Sequence, residues 1–226
     1  MKTIQEFADR IITGDCIEVM KEMPTASIDF IATDPPYLVR YQSHDGRSIA
    51  NDDTNEWLAP AFAEMYRVLR YDHFLLSFYG WNKVDHFFAA WKAAGFRPVG
   101  HLVWTKKYHS NERFVRYTHE SAYLLAKGNP PPPQVVLRDV LDWKYTGDEL
   151  HPTQKPVTAF LPVIMAFSRI GDIVLDPFIG SGTTAIATRV LDRRYIGIEI
   201  DPEYARIAEE RIKGCDLQFA KFAINT

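Results

Sequence analysis

Cysteine is scarce: only Cys16 and Cys215 occur in 226 residues, in no paired spacing, and the seven histidines form no close Cys/His cluster. A disulfide framework and a structural zinc are therefore not expected, no metal ligand set is assigned, and a reducing cytoplasm is the fitting compartment. Excess positive charge is missing as well. The 26 Lys and Arg face 29 Asp and Glu, a net charge of -3, which excludes a histone-like, globally basic binder and confines any nucleic-acid contact to a local patch. Long apolar runs are absent too: the stretch FLPVIMAF at 160–167 is far too short to span a bilayer. The opening residues MKTIQEFADRII lack the basic-then-apolar layout of a secretory signal. A soluble chain with no membrane partner is expected.

What is present suffices for one core. With 46% hydrophobic and 13% aromatic residues, a single domain over 1–226 is expected, with little apolar material for a second. Short β-branched runs alternate with helical patterns, which indicates an α/β sheet with crossover connections and six to eight strands. Strands are predicted at 10–13, 28–33, 73–79, 99–105, 121–126, 173–176 and 195–199. Helices are predicted at 17–23, stopped by Pro24, at 56–69, at 83–93, closed by Gly95, and at 157–168, 183–190 and 202–212. The polar stretch 38–55 is too long for a plain connector. Four prolines at 130–133 impose an extended segment able to leave the sheet and rejoin it.

Two stretches carry chemistry. The first is Asp34, Pro35, Pro36 and Tyr37, closing an apolar strand where α/β proteins place ligands. An aromatic amine is a poor nucleophile because its lone pair is delocalised into the ring, so it must be held with its hydrogens engaged. The Asp34 carboxylate and the Pro35 carbonyl can accept those two hydrogens, and Tyr37 offers a flat face on which an extruded base could stack. The same four residues would also make a strand-terminating turn. The second is DPFIGSGTT at 176–184, between a strand and a helix. Gly180 and Gly182 remove side chains so that a ligand can reach the backbone, and the following helix start can receive a carboxylate. Glu199, 17 residues after Gly182, ends the next strand where an acid can bind ribose hydroxyls.

Asp15 could accept from an adenine amino group or serve as a helix N-cap. In HPTQKP, His151, Thr153 and Lys155 precede a helix, where Lys155 could meet a carboxylate; the segment also reads as a proline-bounded helix entry. In TKKYHSNERFVRYTHE at 105–120, Lys106, Lys107, Arg113 and Arg116 interleave with Tyr108, Phe114 and Tyr117, which suits phosphate neutralisation with stacking or wedging. A solvated loop with apolar anchors is the alternative. Tyr79 and Trp81 could line a target pocket or simply pack.

With these motifs in this order, from GDC at 14–16 to EIDPEY at 199–204, the chain resembles a β-class DNA amino-methyltransferase, in which DPPY comes early and HPTQKP and DPFxGSGTT late. The resemblance implies a Rossmann-like, circularly permuted fold, with a seven-stranded, mostly parallel sheet carrying one antiparallel strand. It implies S-adenosyl-L-methionine as cofactor, leaving S-adenosyl-L-homocysteine. The cofactor is expected at Asp15, Cys16, Asp34, His151, Thr153, Lys155, Asp176, Phe178, Gly180, Ser181, Gly182, Thr183, Thr184, Glu199 and Ile200. The implied reaction is methyl transfer to the 6-amino group of adenine in double-stranded DNA, with Asp34 to Tyr37 catalytic. Neither cysteine follows a proline, which argues against methylation of ring carbon. Cytosine N4 methylation and an idle cofactor- or DNA-binding protein are the alternatives, and a homodimer and a cognate restriction nuclease are open as partners.

Two further expectations follow. If the glycine loop and DPPY cooperate, the strands ending at Asp176 and Thr33 must flank the topological switch point, with the active site in the cleft between their carboxyl ends. The family's larger target-recognition insertion has no counterpart beyond 38–55, 105–119 and 129–150, so sequence readout should be short or shared.

Overall fold

The computed structural model describes residues 2–39, 52–108, 114–133, 135–143 and 155–215. The expectations attached to His151, Thr153, Arg113 and residues 40–51 lie outside the described residues. Among the described residues eight strands form one sheet: β1 Arg10–Thr13, β2 Ile28–Thr33, β3 Leu69–Phe78, β4 Arg97–Thr105, β5 His119–Lys127, β6 Val140–Asp142, β7 Ile173–Asp176 and β8 Arg194–Glu199. Their order across the sheet is β1-β8-β7-β2-β3-β5-β4-β6. Only β5 runs against its neighbours, pairing antiparallel with both β3 and β4. The expected seven strands are thus joined by an eighth. The extended prolines let the chain leave β5 and return as β6, which pairs parallel with the edge of β4 within a segment expected to be a recognition insertion.

Among the described residues six α-helices cover the sheet: α1 Cys16–Glu22, α2 Leu58–Val68, α3 Val84–Ala94, α4 Val157–Phe167, α5 Thr183–Val190 and α6 Pro202–Gly214. Central strands are buried on both faces, and their side chains alternate between two cores with the two-residue period of a strand. Ile31 and Leu75 meet Met20, Phe62, Met65 and Trp91 of α1, α2 and α3. Their sequence neighbours Phe30, Ala32 and Leu76 meet Phe160, Val163, Ile164 and Ala187 of α4 and α5. Helix α6 closes the second face through Ile212, which joins Ile186, Val190 and Tyr195.

Boundaries differ from the sequence expectation where tertiary pairing overrides local pattern. Leu69 leaves α2 directly into β3 because it pairs with Ile28, so β3 begins four residues before the predicted His73. Gly95 ends α3 in the left-handed region at φ 101°, as its place in the sequence predicts.

Candidate active site

Strands β2 and β7 are neighbours, with Phe30 opposite Val174 and Ile31 opposite Leu175. From β2 the chain proceeds to β3 on one side; from β7 it proceeds to β8 on the other. The sheet therefore reverses direction between them, and their carboxyl ends, Thr33 and Asp176, open the cleft that such a switch creates. The first and last thirds of the chain meet there, as the permuted motif order requires.

At the end of β2, Asp34 is gripped from two sides. Lys155 Nζ lies 2.8 Å from its Oδ2, and the Tyr37 hydroxyl donates to Oδ1 at 2.7 Å. Lys155 is 8% exposed, with its ammonium 5.1 Å from the Tyr37 ring centroid and 5.3 Å from that of Phe78. Burial raises the Asp34 carboxyl above its usual range, opposed by the Lys155 charge and the two hydrogen bonds. Burial would also strip the proton from Lys155, but Asp34 and Glu120 outweigh it and hold the ammonium charged. The Tyr37 hydroxyl, pushed well up by burial and by Asp34, stays a donor. The expectation that Lys155 would meet a carboxylate is met by a protein carboxylate, so Lys155 belongs with DPPY rather than waiting for a ligand.

The glycine loop after β7 is tied to the next strand. Gly180 N–H donates to Glu199 Oε2 at 2.9 Å and Asp201 N–H to Oε1 at 3.0 Å, so Glu199 is fixed by backbone while each oxygen retains a lone pair for a hydroxyl donor. Burial raises its carboxyl above the usual range against those bonds. Gly14 N–H donates to the Glu199 carbonyl at 2.8 Å, which sets the β1–α1 turn beside the loop. Asp15 there is the N-cap of α1, accepting from Ile17 and Glu18 N–H, so the capping alternative describes its observed bonds. Cys16 is buried beside Asp15, and its thiol is pushed up to about 12, by burial first.

Several residues counted as cofactor ligands turn out to hold the loop itself. Thr184 Oγ1 donates to Asp176 Oδ2 at 2.6 Å, and Thr183 Oγ1 to the Lys155 carbonyl at 3.1 Å. Ser181 Oγ accepts from Arg211 of α6 at 2.7 Å. All three side chains are buried. The close approach that requires Gly182 is also internal. A Cβ there would lie 3.0 Å from Ala208 Cβ and 3.1 Å from its Cα, at a φ of +88°. Asp176 is likewise enclosed; burial raises its carboxyl to about 7 despite hydrogen bonds from Thr184 and from Phe178 N–H. Phe178 stands edge-on to Trp57, ring centroids 5.1 Å apart, and supplies the apolar wall a purine would need. Ile200 is 43% exposed just beyond Glu199. Two fixed acceptors, an apolar wall and amides opening at the start of α5 together suit a nucleoside bearing a carboxylate. That is the shape of S-adenosylmethionine.

The segment expected at phosphates divides. Lys107 and Arg116 are exposed, whereas the side chain of Lys106 is 5% exposed and paired with Glu120, its ammonium between the rings of Tyr108 at 5.6 Å and Trp143 at 5.4 Å. The Lys106 ammonium therefore faces Glu120, where a phosphate contact was expected. Tyr79 packs, touching Phe87, Trp91 and Tyr123, while Trp81 is 62% exposed and lies against Tyr117 at 5.6 Å. Sequence reading passed over Glu120, Trp57, Gly80 and Arg211. Nothing in a single sequence separates a buried Glu from a solvated one inside a run of charges.

Residues 28–210 match the family described as DNA methylase. YubD of Escherichia coli (strain K12) is 53% identical over 216 residues, covering 96% of this chain and 95% of its own. The DNA adenine methyltransferase YhdJ of the same strain is 32% identical over 247 residues, covering 91% of this chain and 83% of its own. Among solved structures, a complex of M1.HpyAVI with S-adenosylmethionine shares the fold at a TM-score of 0.72 and 24% identity, covering 90% of this chain and 98% of that one. With Asp34 and the 176–184 loop flanking one cleft, the chain belongs to the DNA methylase family, as an amino-methyltransferase of the β class.

Proposed function

We propose that this protein transfers a methyl group from S-adenosylmethionine to the 6-amino group of adenine in double-stranded DNA. The observation that carries this reading is the seating of Asp34: a buried carboxylate at the mouth of the switch-point cleft, flanked by Lys155 and Tyr37 and one strand from the loop that Glu199 holds. The cofactor supplies an electrophilic methyl group when bound. The protein's own task is to present the amine. Asp34 accepts one amine hydrogen and the Pro35 carbonyl the other, which turns the nitrogen lone pair out of the ring plane and toward the donor. As the new N–C bond forms and the methyl group's bond to sulfur breaks, positive charge passes to the nitrogen, the fixed carboxylate favours it in a water-poor site, and the surplus amine proton then leaves to solvent. Lys155 keeps Asp34 ionised against the cost of burial, which otherwise would protonate it.

Adenine is favoured over cytosine because an aspartate opens the motif and because YhdJ, named for adenine, is similar over most of both chains. Lys107 and Arg116 are the proposed phosphate contacts. Mass analysis of nucleosides from DNA incubated with the protein and S-adenosylmethionine is expected to show N6-methyladenine. N4-methylcytosine would reassign the base, and unmodified DNA would leave only the binding reading. Asp34→Ala should lower methylation by at least about a hundredfold. Calorimetric titration of S-adenosylhomocysteine should show nearly parental affinity in that variant. A well-folded Asp34→Ala protein with the parental rate would refute the mechanism.

A further inference from the structure

Behind the Asp34–Lys155 pair lies a second one that the proposed chemistry does not use. Glu120 is the second residue of β5, opposite Trp104 of β4, and because β5 runs against its neighbours, its first residues stand at the edge where β2, β3 and β4 end. Lys106, just past β4, donates to the Glu120 carboxylate and is itself buried between Tyr108 and Trp143. Four charges thus alternate from the recognition segment to the amine acceptor: Lys106, Glu120, Lys155, Asp34. We propose that Glu120 is a positioning residue that divides the Lys155 charge between itself and Asp34, so that Lys106, through Glu120, sets how strongly the amine acceptor is neutralised.

The physical argument is competition for one buried ammonium. Lys155 feels both carboxylates. Were Asp34 its only anion, the pair would be tighter and the Asp34 oxygens poorer acceptors for an incoming amine. Lys106 has the opposite effect, since by neutralising Glu120 it returns Lys155 to Asp34. Glu120 itself stays ionised: burial acts to raise its carboxyl, but Lys155 and Lys106 together bring it below the usual range. The other groups facing this chain are Tyr37 and Asp176 around Asp34, Tyr108 near Lys155, and His119 near Glu120. Among the described residues that face this chain, Lys155 is the cation whose charge acts on both carboxylates, in contact with Asp34 and at longer range on Glu120.

The inference rests on Asp34 acting as the ionised acceptor, and opposite signs in two variants test it separately from that reading. Glu120→Gln keeps the shape but removes the competing anion. Lys155 then stabilises the Asp34 carboxylate more strongly, so the acid limb of the kcat profile should move to lower pH while the plateau falls on the order of tenfold. Glu120→Asp, which retains the charge, should restore the limb. Lys106→Met leaves Glu120 free to draw Lys155 away, so its acid limb should move to higher pH. S-adenosylhomocysteine affinity by calorimetry should be unchanged in all three. Limbs that stay at the parental pH in Glu120→Gln and Lys106→Met, or that move in the same direction, overturn the proposal while the Asp34 reading stands. Activity retained in Asp34→Asn overturns both. Should Glu120→Gln fail to fold, the Lys106→Met limb decides alone: upward supports the proposal, and stationary or downward overturns it.

Discussion

Gly80 stands where the chain leaving β3 passes the backbone of Tyr37. A Cβ at this position would lie 2.6 Å from the Tyr37 carbonyl oxygen and 3.1 Å from its Cβ, so no other residue fits without moving the turn at 34–37. Gly80→Ala should shift Tyr37 off Asp34 and reduce methylation by about tenfold or more, since small displacements of a positioning group are costly. Cofactor affinity measured by calorimetry should hardly change; a parental rate would mean the turn can yield. Glu199 offers the complementary case. Its carboxylate is already aimed by Gly180 and Asp201 N–H, and its expected work is on the cofactor alone. Glu199→Ala should weaken S-adenosylhomocysteine binding by roughly 1.5–3 kcal/mol, the worth of a charge-assisted hydrogen bond. Undiminished affinity in that variant would remove Glu199 from the cofactor site.

The connection from β7 to α5 is an element whose glycines serve packing as much as ligand access. At Gly182 the backbone is left-handed at φ +88° and Ala208 of α6 leaves no space, whereas at Gly171 the backbone is left-handed at φ +83° with nothing within 4 Å. Gly171→Ala should therefore cost only the strain of the left-handed region, about 1–2 kcal/mol. Gly182→Ala should cost that and an overpacking term of about 1–3 kcal/mol besides. Urea denaturation of the two variants measures the difference, and equal losses would mean that α6 retreats freely. The loop is braced from outside by Arg211 on Ser181 and from inside by Thr184 on Asp176. Such bracing explains why so many of its side chains, read in isolation as ligand contacts, turn inward.

At the scale of the molecule, the cleft gathers buried carboxylates whose protonation couples to folding. Asp176 is held at about 7, above its unfolded value, so between those two pH values the folded protein keeps a proton that the unfolded chain has lost. Its contribution to stability is complete below the unfolded value and is lost as pH rises through about 7. Asp176→Asn should thus gain most relative to the parent above neutrality. Denaturation midpoints compared at acid and alkaline pH test this, and a difference that is constant across pH would show that Asp176 does not titrate there. The proposed phosphate contacts lie on a different surface. Replacing Lys107 and Arg116 by Ala should flatten the log-log salt dependence by roughly one unit for each lost phosphate contact, whereas Lys106→Met should leave that slope alone.

Much of this architecture can be read from one dimension, because its signals are local. The alternating strands and helices, the Pro24 and Gly95 stops, and the order DPPY, HPTQKP, DPFIGSGTT, Glu199 all depend on backbone preferences and short-range spacing, and these place DPPY, the glycine loop and Glu199 at strand ends and demand that β2 and β7 adjoin. What local pattern cannot specify is which charged groups are buried and whom they meet. Lys106 and Lys107 are adjacent and identical in kind, yet one is enclosed against Glu120 and the other faces water. Lys155 finds Asp34 across 121 residues, and β6 exists only because the edge of β4 is there to pair with it. Burial and long-range pairing are properties of the packed molecule: the cost of burying each charge is met by a partner that the chain brings near only by folding, and so the composition of the catalytic cleft was decided in three dimensions.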